Sequence, residues 1–257
     1  MASFQTLSAA ILALALVPPA WGATVRYRLY WGGFHAANVA LADHVEKHDS
    51  YRLRLRADTV GLADLFSPLT ITATTRGRRT GFRSLAPGRF FTDANDGGSD
   101  TRLVVRFPKG HPSRTSERTR WLHADHDHEK PRPKVPARLR TGTLDPLTAL
   151  LDLGRRAKIG AKPFTLPVFD GLRRYDVDAT VTGTDTVTIG RRPLRAIRVL
   201  LVFHPLAGFR PHEMRMWRNA HFIAQIDPAT SLPLHIDSRG FVVATVIDAR
   251  PPPRSRR

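Results

Sequence analysis

Apolar and polar residues alternate with period two through most of this chain, and nothing else in it restricts the fold as strongly, because such alternation suits a strand with one buried face. In VRYRLYW (25–31), Val25, Tyr27, Leu29 and Trp31 share one face while Arg26, Arg28 and Tyr30 share the other. YRLRLRA (51–57) repeats the pattern with Tyr51, Leu53, Leu55 and Ala57 inward. Between them, Gly32-Gly33 permits a turn or bulge that a residue with a Cβ resists, and HAANVALADHV reads as the returning strand. Further strands are expected at 69–75, 101–107, 174–183, 194–203, 213–220, 232–238 and 241–248. In LPVFDGLRRYDV, Asp170-Gly171 lies between two extended runs and predicts a two-residue hairpin. The fold class that follows is mainly β: a strongly curved antiparallel sheet or open β-barrel, a half-barrel with meander connections.

One short packed helix is expected within this background. In TLDPLTALLDLGRR, Asp145 is placed as an N-cap and Pro146 suits the first helical position. Leu147, Leu150 and Leu151 form an apolar stripe that must be buried against the sheet, and Gly154 is expected to end the helix.

The first residues, MASFQTLSAAILALALVPPAWGA, carry no charged side chain, hold an apolar run from Leu7 to Val17 and end in the small-x-small pattern Ala20-Trp21-Gly22. They read as a signal peptide cleaved near Gly22, which predicts an exported, periplasmic protein. No later run approaches the roughly 20 apolar residues of a membrane helix. What remains is a single β-rich domain over 23–248 and a basic, proline-rich tail over 249–257 that is expected to be disordered. Cysteine is absent, which excludes a disulfide, a thiol nucleophile, a Cys-ligated metal and a lipid-modified N-terminal cysteine.

A net charge of +18 ordinarily points to nucleic acid, but an exported chain does not work beside it, and no nucleic-acid partner is expected. Only six of the 40 basic residues are lysines, an arginine bias that a GC-rich coding sequence also produces. The functional reading of the charge is attraction to an anionic envelope surface, whether lipid headgroups or cell-wall polymers.

HADHDHE (123–129) packs three histidines and three carboxylates together, and His126 and His128 point the same way if the stretch is extended. The segment runs into EKPRPKVP, which offers no scaffold to fix ligand geometry. No metal is therefore expected, with His126 and His128 as the weak candidates. Catalytic motifs are also missing: there is no G-x-S-x-G, H-E-x-x-H, G-x-x-x-x-G-K or G-x-G-x-x-G. PHEM supplies a His-Glu pair, but Met216 stands where a zinc protease needs its second histidine. Asp176 and Asp178 share a strand face and are expected to be solvated. The chain is thus expected to be no enzyme and to hold no cofactor.

Apolar side chains leave the remaining opening. Phe203, Met214, Met216 and Trp217 crowd together in sequence and, with Leu147, Leu150 and Leu151, are the candidates for a groove that holds a lipid or acyl chain. The alternative for the same residues is plain core.

VRYRLYWGGFHAANVALA, LDPLTALLDL, LPVFDGLRRYDV and PLHIDSRGFVVATV occur in the order found in an exported bacterial family, the domain of unknown function 3108, which this chain resembles over about residues 25–247. The resemblance implies a periplasmic, strongly curved antiparallel sheet with a helix, similar in outline to the open barrels of lipoprotein carriers. It implies no catalytic residues, and the HADHDHE segment lies between the shared motifs. The expected function is that of a non-catalytic cell-envelope factor with a hydrophobic ligand in its concave face. The alternatives are an envelope scaffold or partner-binding protein without a small ligand, and a metal-binding protein acting through the histidine loop.

Overall fold

The computed structural model describes residues 24–45, 49–80, 84–122, 132–218, 220–239 and 245–249. The first half of the chain forms β1 (Thr24–Trp31), β2 (Phe34–Val45), β3 (Ser50–Thr59), the short helix α1 (Leu62–Phe66), β4 (Thr70–Arg79), β5 (Leu85–Asn95), β6 (Ser99–Arg106) and β7 (Arg114–Trp121). Then come a 3-10 turn (Ala137–Arg140) and helix α2 (Pro146–Lys158). The second half forms β8 (Phe164–Phe169), β9 (Arg174–Ile189), β10 (Arg192–Ala207), helix α3 (Pro211–Trp217), β11 (His221–Ile226), β12 (Pro233–Arg239) and β13 (Thr245–Ala249). All the strands join one 13-stranded antiparallel sheet in the order β7-β6-β5-β4-β3-β2-β1-β13-β12-β11-β10-β9-β8.

The alternation determines which face is buried. Tyr27, Leu41, Leu53, Ala73, Phe90, Leu103 and Val105 point inward from successive strands and pack on Leu147 and Phe169. Leu166, Val177, Val199, Ala224 and Ile226 make the corresponding layer of the second half, against Ala149, Leu153 and Ala157 of α2. The helix is therefore enclosed by the sheet on more than one side. Leu147 and Leu151 are buried, whereas Leu150 is half-buried against the first cluster.

Three expectations change. Gly154 does not end α2; it lies inside the helix, because a Cβ there would stand 1.8 Å from the carbonyl oxygen of Ser231. The helix ends instead at Ile159 and Gly160, where φ is +63°. The turn at Asp170-Gly171 is longer than two residues: Phe169 pairs with Arg174, and the Asp170 carboxylate accepts from the backbone N–H groups of Leu172 and Arg173. Residues 213–220 are not a strand, since Pro211 at the first helical turn and Glu213, which accepts from the Arg210 N–H, start α3 there. Strands β5, β7 and β11 were also not foreseen, nor were α1 and α3. In β7 the sequence RTSERTRW is polar on both faces, as an edge strand allows.

The two sheet edges, β7 and β8, are not laddered to each other. A strap from residue 132 to residue 145 spans the gap between them. The Ser113 N–H donates to the Arg140 carbonyl, Arg140 Nη1 donates back to the Ser113 carbonyl at 2.8 Å, and the buried Arg174 donates to the carbonyl of Leu139 at 3.0 Å. Thr115 Oγ1 donates to the Gly171 carbonyl at 3.1 Å, tying β7 to the β8–β9 turn. The result is an open barrel plugged by α2.

Candidate functional site: an apolar groove at the barrel mouth

The inward rows of the first strands continue past the core to the rim. Leu29 pairs with Ala37, and Ala37 with Thr59. One rung deeper, Val39 pairs with Ala57, and Ala57 with Ile71. Here the small side chains Ala36, Ala37, Ala57 and Ala63 sit among Trp31, Phe34, Leu62 and Ile71, and the difference in size leaves a groove of about 640 Å³. Among the described residues its lining holds no Asp, Glu, Lys or Arg, and His35, Thr59 and Ser67 are the polar ones.

Local structure positions the rim. Gly32 and Gly33 take φ of +57° and +85°, the left-handed pair that a tight hairpin needs, and so Trp31 and Phe34 stand at its base directly opposite each other. On the other lip, the Thr59 N–H donates to the Leu69 carbonyl at 2.9 Å, while the Thr59 hydroxyl accepts from the Leu69 N–H at 2.8 Å and donates to Asp64 at 2.8 Å, which fixes α1. Trp31 is 56%, Phe34 67%, Leu62 60% and Leu65 75% exposed. Large apolar side chains gathered around an opening at such exposure mark a binding surface more often than chance surface.

The residues singled out from sequence fall into separate places. Leu147, Leu150 and Leu151 belong to the plug below the groove. Phe203 and Trp217 do meet, with ring centroids 5.5 Å apart, and Phe203 also touches Tyr175 and Phe222. The space beside that aromatic cluster is about 50 Å³, well below the few hundred Å³ of a ligand site. Met214 is half-buried and Met216 exposed on α3, and neither lines the groove. His126 and His128 lie outside the described residues. Trp31, Phe34 and Leu62 were missed, although two aromatic residues flanking a Gly-Gly turn were the available signal: a hairpin tip ordinarily carries polar residues.

The acidic groups serve the structure. Asp145 is fully buried at the start of α2: Oδ1 accepts from the N–H groups of Leu147 and Thr148, and Oδ2 from the hydroxyls of Thr75 and Thr148. Burial raises its pKa against the pull of these donors. Tyr51, whose hydroxyl pairs with Thr148 Oγ1 at 2.8 Å, is likewise pushed up by burial. Glu213 is opposed by burial too, but Arg132, the Arg210 N–H and Arg173 outweigh it and hold the carboxyl down at about 2. Asp176 and Asp178 each meet a basic side chain, Asp176 lying 2.8 Å from Arg174 and Asp178 2.9 Å from His204. Among the described residues no group of His, Asp and Glu is arranged to hold a metal.

Residues 26–221 match the family described as "Protein of unknown function (DUF3108)". The chain belongs to that family. Among curated proteins, none matches it in sequence. A solved beta-barrel-like protein of another family of unknown function, DUF1849, from Brucella abortus is 12% identical, with a TM-score of 0.54 over 89% of this chain and 95% of that one. At that identity it shows the fold alone: an open, barrel-like sheet. A lipoprotein candidate from Parabacteroides distasonis has a TM-score of 0.43 at 8% identity, covering 90% of this chain and 95% of its own. An exported-protein candidate with a YmcC-like fold from Bacteroides fragilis has a TM-score of 0.39 at 8% identity, covering 88% of this DUF3108 chain and 92% of its own.

Proposed function

We propose that this DUF3108 chain is an exported, non-catalytic protein of the cell envelope that holds the acyl part of a lipid, or a similar apolar ligand, in the mouth groove. The observation that carries the reading is the groove itself: about 640 Å³, open at the rim and lined, among the described residues, by no charged side chain. That volume falls within the range of small-ligand sites, and transfer of an acyl chain into it would contribute about 0.8 kcal/mol per buried methylene. The export reading rests on the apolar N-terminal stretch that ends at Ala20-Trp21-Gly22.

One observation favours a second reading. Leu65, the most exposed of the rim residues, does not line the groove, so the rim also suits contact with a protein partner, the groove staying empty. Lipid extraction and mass spectrometry on the protein isolated from its own cells, with titration of a fluorescent fatty acid, tests the choice. Co-purified acyl lipid, with probe binding lost in Ala57→Trp and kept in Leu65→Ser, is the expected result. A protein free of lipid that binds no probe refutes the ligand reading.

A further inference from the structure

The outer face of the first seven strands carries arginines whose charge balance changes along the barrel. Near the mouth three of them are matched by carboxylates: Arg56 with Asp58 at 2.9 Å, Arg102 with Asp93 at 3.2 Å and Arg120 with Asp100 at 2.7 Å. Further from the mouth the matching stops. There the register sets Arg52 opposite Arg76, Arg76 opposite Arg89, Arg89 opposite Arg106 and Arg106 opposite Arg114, an unbroken row across β3, β4, β5, β6 and β7. Leu53, Thr75, Phe90 and Val105, the sequence neighbours of the row, are buried, so the arginines project outward. Arg76, Arg89, Arg106 and Arg114 are exposed, and none of the four pairs with a carboxylate among the described residues.

Like charges placed directly opposite each other destabilise a sheet. Protection of an edge explains Arg114 on β7 but not the arginines on the three strands inside it. Neighbouring strands are about 4.8 Å apart, so the four exposed positions span roughly 14 Å. We propose that this row binds a linear polyanion of the envelope, a flexible chain on which oxyanion groups, phosphate or uronate carboxylate, recur at short intervals. Guanidinium forks fit both oxyanions in two-point fashion. A row one residue wide, running around the outside of a curved sheet, can be followed along its whole length by a flexible chain, whereas a flat membrane meets only part of it. The row contains no Phe, Tyr or Trp, which a surface for stacking nucleic-acid bases would need. It also stands apart from the groove: on β4 the groove reaches Ile71 and the row lies at Arg76, about 17 Å further along the strand on the other face. The inference therefore does not depend on what fills the groove.

The test compares two variants that lose the same charge. One carries Gln at Arg76, Arg89, Arg106 and Arg114, and the other carries Gln at Arg28, Arg56, Arg102 and Arg120, all on the outer face nearer the mouth. Binding to labelled long-chain polyphosphate, to polygalacturonate and to phosphatidylglycerol vesicles is measured at about 0.15 M salt, where long-range attraction is screened. The expected result is that the native protein binds at least one polymer, that the row variant weakens this roughly tenfold or more, and that the control weakens it less than about threefold. Which polymer binds identifies the oxyanion. If the row variant fails to fold, the single variants Arg89→Gln and Arg106→Gln replace it, each expected to weaken binding about threefold while keeping the native melting temperature. Equal weakening in row and control variants, no polymer binding by the native protein, or binding to vesicles alone overturns the proposal.

Discussion

Gly154→Ala inverts the usual rule for helices, and the geometry says by how much. In a solvated helix this change stabilises by about 1 kcal/mol. Here the new Cβ would meet the carbonyl oxygen of Ser231 at 1.8 Å and its carbon at 2.8 Å, while ordinary contact begins at 3.4 Å, so 3.4 − 1.8 = 1.6 Å of separation must be found. Neither side yields easily. Ser231 sits at φ +62° in a turn closed by its own N–H to Asp227 and by Asp227 to Leu232, and Leu232 is buried in the core. On the other side α2 is wedged by Leu147, Leu151 and Leu153. Backbone against a β-carbon falls at the upper end of overpacking costs, about 3 kcal/mol. Subtracting the helix gain leaves a net loss of about 2 kcal/mol, or roughly 4–8 °C in Tm for a chain of this size. Calorimetry, together with urea unfolding followed by circular dichroism, measures it. A variant as stable as the native protein, or more so, refutes the enclosed position of the helix.

Asp145→Asn keeps an oxygen for the two helix N–H groups and an amide for the two threonine hydroxyls, so it should cost about 1 kcal/mol, whereas Asp145→Ala should cost about 3–5 kcal/mol from the lost cap and the orphaned hydroxyls. Because burial raises the Asp145 pKa above 3.8, its contribution is complete below that value and declines as pH rises through the folded value; a pH series of urea midpoints should show this slope in the native protein and not in the Asn variant. Glu213 has the opposite sign: its pKa falls from 4.5 to about 2, so its stabilisation is present above 4.5 and is lost as pH falls through about 2. Glu213→Gln should therefore flatten the acid limb of the same series. Leu151→Ala should cost about 2–5 kcal/mol, and Leu150→Ala clearly less because Leu150 is only half-buried; equal costs in urea unfolding would contradict the placement of the two leucines.

The barrel wall was legible in sequence because period-two patterning reports directly which face is buried. Val25, Tyr27 and Leu29 face inward as that pattern requires. Strands that lack the pattern were not legible: β7 is polar on both faces, and β5 is interrupted by Pro87-Gly88 at a bulge. The end of α2 was misplaced because Gly154 answers to a neighbour 77 positions away, Ser231, and no local pattern reports that contact. The candidate site was legible only in part. The apolar side chains near one another in sequence, Phe203, Met214, Met216 and Trp217, lie away from the groove, which depends on four alanines leaving space where four strands and a helix converge. An absence of volume is a property of the assembled sheet rather than of any one segment. The arginine row is likewise invisible until the register places residues 76, 89, 106 and 114 side by side.

The strand order has a consequence for how the wall is made. Every neighbouring pair is consecutive in sequence except one, the seam where Tyr27 to Trp31 of β1 lie against Thr245 to Ala249 of β13. Two meanders, each able to grow by local hairpins, are thus joined back to back through their outermost members. The seam cannot zip until more than two hundred residues after β1 have been delivered, and closing a loop of that length carries an entropic cost that each hairpin, with its short turn, largely avoids. During synthesis or passage across a membrane from the N-terminal side, β1 therefore emerges with one hydrogen-bonding edge occupied by β2 and the other empty, waiting longest of all the strands for its partner. A holding chaperone would find its simplest target at that edge, and relocating the chain break to the stretch between β7 and α2 would turn the same wall into an uninterrupted meander with no such delay.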